Sequence, residues 1–95
     1  MRQYELAYII HPDLDDTAFK EAVDRIQGLI TDAGGKVTKA EIVGKKKLAY
    51  EIRKQREGQY VFLKAEMLPS FIAELERNLS LMEPVMRFMV IQDES

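Results

Sequence analysis

The basic side chains of this chain are concentrated in one segment. Residues 36–64 carry nine lysines and arginines against three acidic residues, a net charge of +6, whereas residues 1–35 and 65–95 each carry −4. Lysines on both faces of an extended strand can contact the phosphates of a curved polyanion. The middle segment is therefore a candidate phosphate-binding element. Its densest part contains six cations: Lys45, Lys46, Lys47, Arg53, Lys54 and Arg56.

Two alternatives explain parts of this pattern without RNA. Lysines on an edge strand also prevent the strand from pairing with other chains, so the cations are consistent with a purely protective role. Tyr4, Tyr60 and Phe62 are candidates for base stacking on an open sheet face, and core packing explains them equally well. The net charge of the whole chain is −2, which argues against an RNA-binding protein that acts alone.

Few residues are suited to catalysis or metal binding. The one histidine, His11, precedes Pro12 and is most simply a turn residue, since no partner for a general base stands at a recognisable spacing. The aspartates at 13, 15 and 16 are better explained as caps of a helix start than as a calcium loop. The chain has no cysteine and no glycine-rich phosphate loop. We therefore expect no enzyme, no metal and no cofactor.

Hydrophobic periodicity places these residues in one domain that covers residues 1–95. Asp15 caps a first helix that Gly34-Gly35 ends, and Gly44 marks a bend in a long second strand. The order βαββαβ predicts an α+β, ferredoxin-like fold, in which two helices cover one face of a four-stranded antiparallel sheet. The predicted boundaries are a strand at Arg2–Ile10, a bent strand at Lys36–Ile52, a turn at Gln55–Gly58, a strand at Tyr60–Met67, a helix from Pro69, a strand at Val85–Ile91 and a frayed tail at 93–95.

Apolar runs of about five residues are too short to cross a bilayer, which needs roughly 20, so we expect no membrane partner and a cytoplasmic location. Several stretches carry a resemblance over essentially all 95 residues. Gly44-Lys45-Lys46-Lys47-Leu48-Ala49-Tyr50-Glu51-Ile52 is the most specific, and Met1-Arg2-Gln3-Tyr4-Glu5 is the next. With the Pro12 turn, Gly58-Gln59-Tyr60 and Val85-Met86-Arg87-Phe88-Met89-Val90, they resemble the bacterial small-subunit ribosomal protein six family.

The resemblance implies a structural role on the ribosome, in which the protein binds the central domain of small-subunit ribosomal RNA together with small-subunit ribosomal protein eighteen. Residues 79–83 lack the arginines that many members of the family have before the last strand. A small-ligand-binding or regulatory ferredoxin-like module is the alternative. The residues expected at the RNA are Arg2, Lys45, Lys46, Lys47, Lys54 and Arg87, and those expected at the protein partner are Glu41, Ile42, Lys46 and Leu48.

Overall fold

The computed structural model describes residues 1–93 and has the predicted order of elements. A short 3-10 turn, Pro69–Phe71, precedes the second helix. Glu94 and Ser95, from the predicted tail, lie outside the described residues. The elements are β1 (Arg2–Ile10), α1 (Asp16–Asp32), β2 (Lys36–Ile52), β3 (Gln55–Met67), α2 (Ile72–Leu81) and β4 (Val85–Gln92).

The sheet is antiparallel with the strand order β2-β3-β1-β4, so β1 is central and β2 lies at an edge. Alternation at period two buries one side of β1 and β3 beneath the two helices. The other side carries no helix, and we call it the helix-free face. This arrangement confirms the predicted ferredoxin-like fold. The buried strand residues are Tyr4, Leu6, Tyr8, Ile10, Val61, Leu63, Ala65 and Met67.

Helix α1 begins and ends at the residues that the sequence indicates. The Asp15 carboxylate accepts a hydrogen bond of 2.8 Å from the Ala18 amide, which satisfies one free donor of the first turn. Gly34 adopts a φ of 85° after the last turn, and the Gly35 amide donates to the Ile30 carbonyl at 2.9 Å. This is the glycine-dependent ending that leads the chain back toward the sheet.

The turn between β2 and β3 lies two residues earlier than the sequence predicts, and the prediction at Gln55–Gly58 is wrong. Arg53 and Lys54 form the turn with φ values of 51° and 64°, and Ile52 pairs with Gln55 on either side. Two-residue hairpin turns require positive φ at both positions, for which Asn and Gly are the usual signals. An Arg-Lys turn carries no such signal. Gly58 instead lies within β3, where a Cβ atom would overlap the Ile9 side chain.

We predict opposite effects on stability when alanine replaces two glycines at the ends of one comparison. A Cβ at Gly35 would lie 2.7 Å from the Glu66 carbonyl oxygen and 2.9 Å from the Ile30 carbonyl oxygen, whereas nothing lies within 4 Å of a Cβ at Gly28. Gly35→Ala should therefore lower the free energy of unfolding by about 1–3 kcal/mol through overpacking. Gly28→Ala should raise it by roughly 0.5–1 kcal/mol because alanine favours a helix interior.

Urea unfolding of the two variants beside the unmodified chain measures both changes. Equal midpoints for the two variants would show that the chain between α1 and β2 does not pack closely on β3.

Candidate functional site

The helix-free face is apolar where β1, β3 and β4 meet. Residues that pair directly across antiparallel strands share a face, and Ile9 pairs with Tyr60 on one side and with Arg87 on the other. Phe62 and Met89 flank the neighbouring position of β1 and are 46% and 57% exposed. Together these residues line an open groove of about 430 Å³. The face thus offers an apolar surface with a guanidinium at one end.

The predicted stacking aromatics divide between the two sides of the sheet. Tyr60 and Phe62 lie on the helix-free face. Tyr4 is 6% exposed and packs in the core under the helices, so its prediction as a stacking residue is wrong. The alternation that places Leu6 and Ile10 in the core places Tyr4 there as well.

The three consecutive lysines are exposed and lie on both sides of the edge strand. Lys46 pairs with Gly58, whose missing side chain would point at Ile9, so Lys46 lies on the helix-free face. Lys45 and Lys47 have the opposite parity and project from the other side. Because β2 has a register shift at Gly44, where φ is 98°, the run follows a bulge as predicted.

An arginine clamp holds the tip of the β2–β3 hairpin against the start of β4. The Arg53 guanidinium donates one hydrogen bond to the Glu83 carbonyl at 2.9 Å and another to the Val85 carbonyl at 3.2 Å. Lys54 follows Arg53 in the turn, so the clamp brings Lys54 to the end of the sheet where Arg87 lies. Sequence reasoning assigned Arg53 only a place in the basic segment, because no local pattern indicates a contact 30 residues away.

Arg87 also contacts the hairpin through an aromatic ring. Its guanidinium carbon lies 5.2 Å from the centroid of the Tyr50 ring, within the range of a cation–π interaction. Tyr50 is 57% exposed and was not among the predicted site residues. The basic neighbourhood of Tyr50 was visible in the sequence, but its partner on β4 was not.

Arg2 lies far from the other predicted RNA-binding residues. It pairs with Met67 at the start of β1, whereas Arg87 pairs with Ile9 near the end of that strand. Seven steps along an extended strand span about 23 Å. The structure therefore brings Lys54 and Arg87 to one end of the sheet, places the lysine run along its edge, and leaves Arg2 at the opposite end.

The four residues predicted for the protein partner all lie on β2, at the sheet edge. Glu41 pairs with Phe62 and shares the helix-free face with Lys46, while Leu48 lies beside Gly58 and is half-buried. Ile42 pairs with Val61 and so projects from the other side, where it is 59% exposed. The four residues thus mark an edge with two sides instead of one flat patch.

The residues considered for catalysis or metal binding have structural roles. The Nδ1 atom of His11 accepts a hydrogen bond from the Asp13 amide at 3.1 Å, and Gln59 donates to the His11 carbonyl at 3.0 Å. Burial, with a smaller contribution from the charge of Asp24, raises the pKa of Tyr8 well above its ordinary value of 10.0. Within residues 1–93, no group of three or more histidine, aspartate or glutamate side chains is placed to hold a metal ion. In the same range, neither helix has the length and hydropathy of a membrane span.

Comparison with known proteins gives a consistent family across the whole length. Residues 3–92 match the family model described as ribosomal protein S6. Small ribosomal subunit protein bS6 of Halalkalibacterium halodurans is 43% identical over 94 residues, and that of an Exiguobacterium species is 45% identical over 94 residues. Each alignment covers 99% of both chains.

A solved structure agrees with the sequence comparisons. The crystal structure of 30S ribosomal protein S6 from Thermotoga maritima superposes with a TM-score of 0.92 at 29% identity, covering 97% of this chain and 87% of that one. These relatives are named as structural proteins of the ribosome, not as enzymes. The chain belongs to the ribosomal protein S6 family of the small ribosomal subunit.

Proposed function

We propose that the protein is a structural constituent of the bacterial small ribosomal subunit that binds the central domain of small-subunit ribosomal RNA together with small-subunit ribosomal protein eighteen. The observation that carries this proposal is the family match over residues 3–92. Assembly on the ribosome takes place in the cytoplasm. The charge distribution and the geometry of the hairpin support the RNA contact, and the exposed edge of β2 supports the protein contact.

The RNA side of the proposal rests on the cations of the hairpin. Lys45, Lys46 and Lys47 reach to both sides of the edge strand, so they can neutralise phosphates on a backbone that curves around it. Lys54 and Arg87 extend this surface to the end of the sheet. Arg2, at the other end of β1, would contact a separate part of the RNA. With a net charge of −2, the chain binds RNA weakly without a basic partner.

The protein side of the proposal rests on the exposed edge of β2. Ile42 presents an apolar side chain to solvent, and Leu48 is half-buried on the other side of the strand. Glu41 and Lys46 flank them with charges of both signs. An apolar centre with a charged rim is typical of a specific protein interface. Small-subunit ribosomal protein eighteen docked at this edge would add positive charge beside the lysine run.

The open groove on the helix-free face favours one alternative function. Tyr60, Phe62, Met89 and Arg87 line it, and a small anionic ligand would find an apolar floor with a cation at one end. In that case the protein would act as a ligand-binding or regulatory module away from the ribosome.

We predict that the lysine run sets much of the salt dependence of RNA binding. Replacing Lys45, Lys46 and Lys47 together with alanine should flatten the slope of log affinity against log salt concentration by about two to three units, if each lysine neutralises one phosphate. Binding of the heterodimer to a central-domain RNA fragment is titrated over a range of potassium chloride concentrations.

Two further variants separate the sides of the strand. The single change Lys46→Ala tests the helix-free side, and the double change of Lys45 and Lys47 tests the other. An unchanged slope in the triple variant would remove the lysine run from the RNA interface.

We predict that stable RNA binding requires the heterodimer and that Ile42 contributes to its formation. The central-domain fragment should bind this chain tightly only when the partner protein is present. Ile42→Ser should weaken association of the two proteins by roughly 5- to 50-fold, because buried apolar anchors dominate such interfaces. Isothermal titration calorimetry measures this association directly.

The matched control is Leu81→Ser on α2, which removes another exposed apolar side chain, 74% exposed, far from the β2 edge along the chain. Equal affinities for the two serine variants would contradict the placement of the partner at β2.

We predict that the protein sediments with the small ribosomal subunit. A sucrose gradient of cell extract, probed with an antibody against the chain, should place it in the small-subunit fractions at an amount matching that subunit. Recovery only at the top of the gradient, in excess over ribosomes, would favour the regulatory module.

A further inference from the structure

Tyr50 is an exposed aromatic ring in the most basic part of the chain. It follows the lysine run by three residues and precedes the Arg53-Lys54 turn. The Arg87 guanidinium lies 5.2 Å from the ring centroid, yet 57% of Tyr50 remains exposed. The ring does not belong to the hydrophobic core, so core packing does not explain its presence.

The position of the ring is fixed by contacts on both sides. The two hydrogen bonds from Arg53 to the Glu83 and Val85 carbonyls tie the hairpin to β4, which is the strand that carries Arg87. Arg53 and Arg87 line one groove of about 310 Å³ between these elements. The Tyr50 ring is therefore held in place before any ligand arrives, and a pre-organised ring loses little conformational entropy on binding.

The charges around Tyr50 are unequal on its two sides. The groove that Tyr50 itself lines contains Lys47 and Arg56 but also Glu51 and Glu57. The groove of Arg53 and Arg87 is lined by no acidic residue. A ligand that has both a planar ring and a phosphate would lay its ring on Tyr50 and direct the phosphate toward the two arginines.

We propose that Tyr50 and Arg87 form a stacking site for one unpaired RNA base, with Arg53 as the residue that positions them. This inference rests on the proposed function for its choice of RNA as the ligand. Only an unpaired base presents a free face to an aromatic ring, so the site selects a single-stranded nucleotide within the folded RNA. The cations beside the ring favour a phosphate-linked base over an apolar protein side chain.

The first experiment compares Tyr50→Leu with Tyr50→Phe. Both variants keep the charge of the hairpin, and the phenylalanine keeps the ring. In the presence of saturating partner protein, Tyr50→Leu should weaken binding to the central-domain fragment roughly 5- to 100-fold, the usual effect of losing one stacked base. Tyr50→Phe should bind like the unmodified chain. The salt slope should stay the same in both, because no charge is removed.

The second experiment detects the contact itself. RNA that carries 4-thiouridine at single-stranded positions is irradiated in the complex, and the crosslinked protein is digested with trypsin. Cleavage after Lys47 and Arg53 yields the peptide Leu48–Arg53, in which Tyr50 is the sole aromatic residue. A crosslink to this peptide is expected from one thiouridine position and should be lost with Tyr50→Leu.

Arg53→Lys tests the positioning role, since lysine keeps the charge but lacks the planar fork that reaches two carbonyls. It should reduce the crosslink to Tyr50 while leaving the salt slope unchanged. A full crosslink yield in Arg53→Lys would remove Arg53 from the site.

Three outcomes separate this inference from the proposed function. Unchanged affinity of Tyr50→Leu, with the lysine variants still altering the salt slope, would overturn the stacking site alone. Weaker association of Tyr50→Leu with the partner protein in the absence of RNA, without loss of RNA affinity in the complex, would assign the ring to the protein interface and also overturn it. No RNA binding by the unmodified heterodimer would overturn the proposed function itself.

Discussion

The burial of alternate residues of β1 beneath the two helices is the constraint on which the remaining structure depends. Tyr4, Leu6, Tyr8 and Ile10 are all nearly inaccessible to solvent. A one-residue slip would turn this set to the helix-free face, so their burial fixes the register of both neighbouring strands. The same alternation places Ile9 on the opposite face, opposite Tyr60 and Arg87. The candidate binding surface is thus a consequence of core packing on the other side of the sheet.

The hairpin adds a second constraint that the core does not supply. Part of β2 and β3 extends beyond the helices, where hydrophobic burial is small and polar contacts determine the path of the chain. The bulge at Gly44 bends the edge strand, and the bonds from Arg53 to two main-chain carbonyls hold the tip. One arginine therefore links a local turn to the orientation of Tyr50 against Arg87. The cations of the hairpin are displayed on a shaped surface and not on a free loop.

Much of the fold follows from sequence because its determinants are local. Period two in β1, the Asp15 cap and the paired glycines after α1 each act within a few residues, and each is confirmed. The hairpin turn was misplaced because Arg53 and Lys54 adopt positive φ without the usual residue types, and Gly58 drew the prediction toward itself. The contact of Arg53 with residues 83 and 85 depends on tertiary structure, so no spacing in the sequence reports it.

The acidic remainder of the chain also contributes to the orientation of the protein on RNA. The two helices together carry six acidic and three basic residues, and they cover the face of the sheet opposite Tyr60 and Phe62. A polyanion is repelled from the helical layer and attracted to the hairpin, so an encounter with RNA favours one orientation. Salt screens such charges beyond about 8–10 Å, which confines this selection to close approach. Acidic helices therefore do not oppose an RNA-bound role; they restrict it to the hairpin and leave stable attachment dependent on a basic partner.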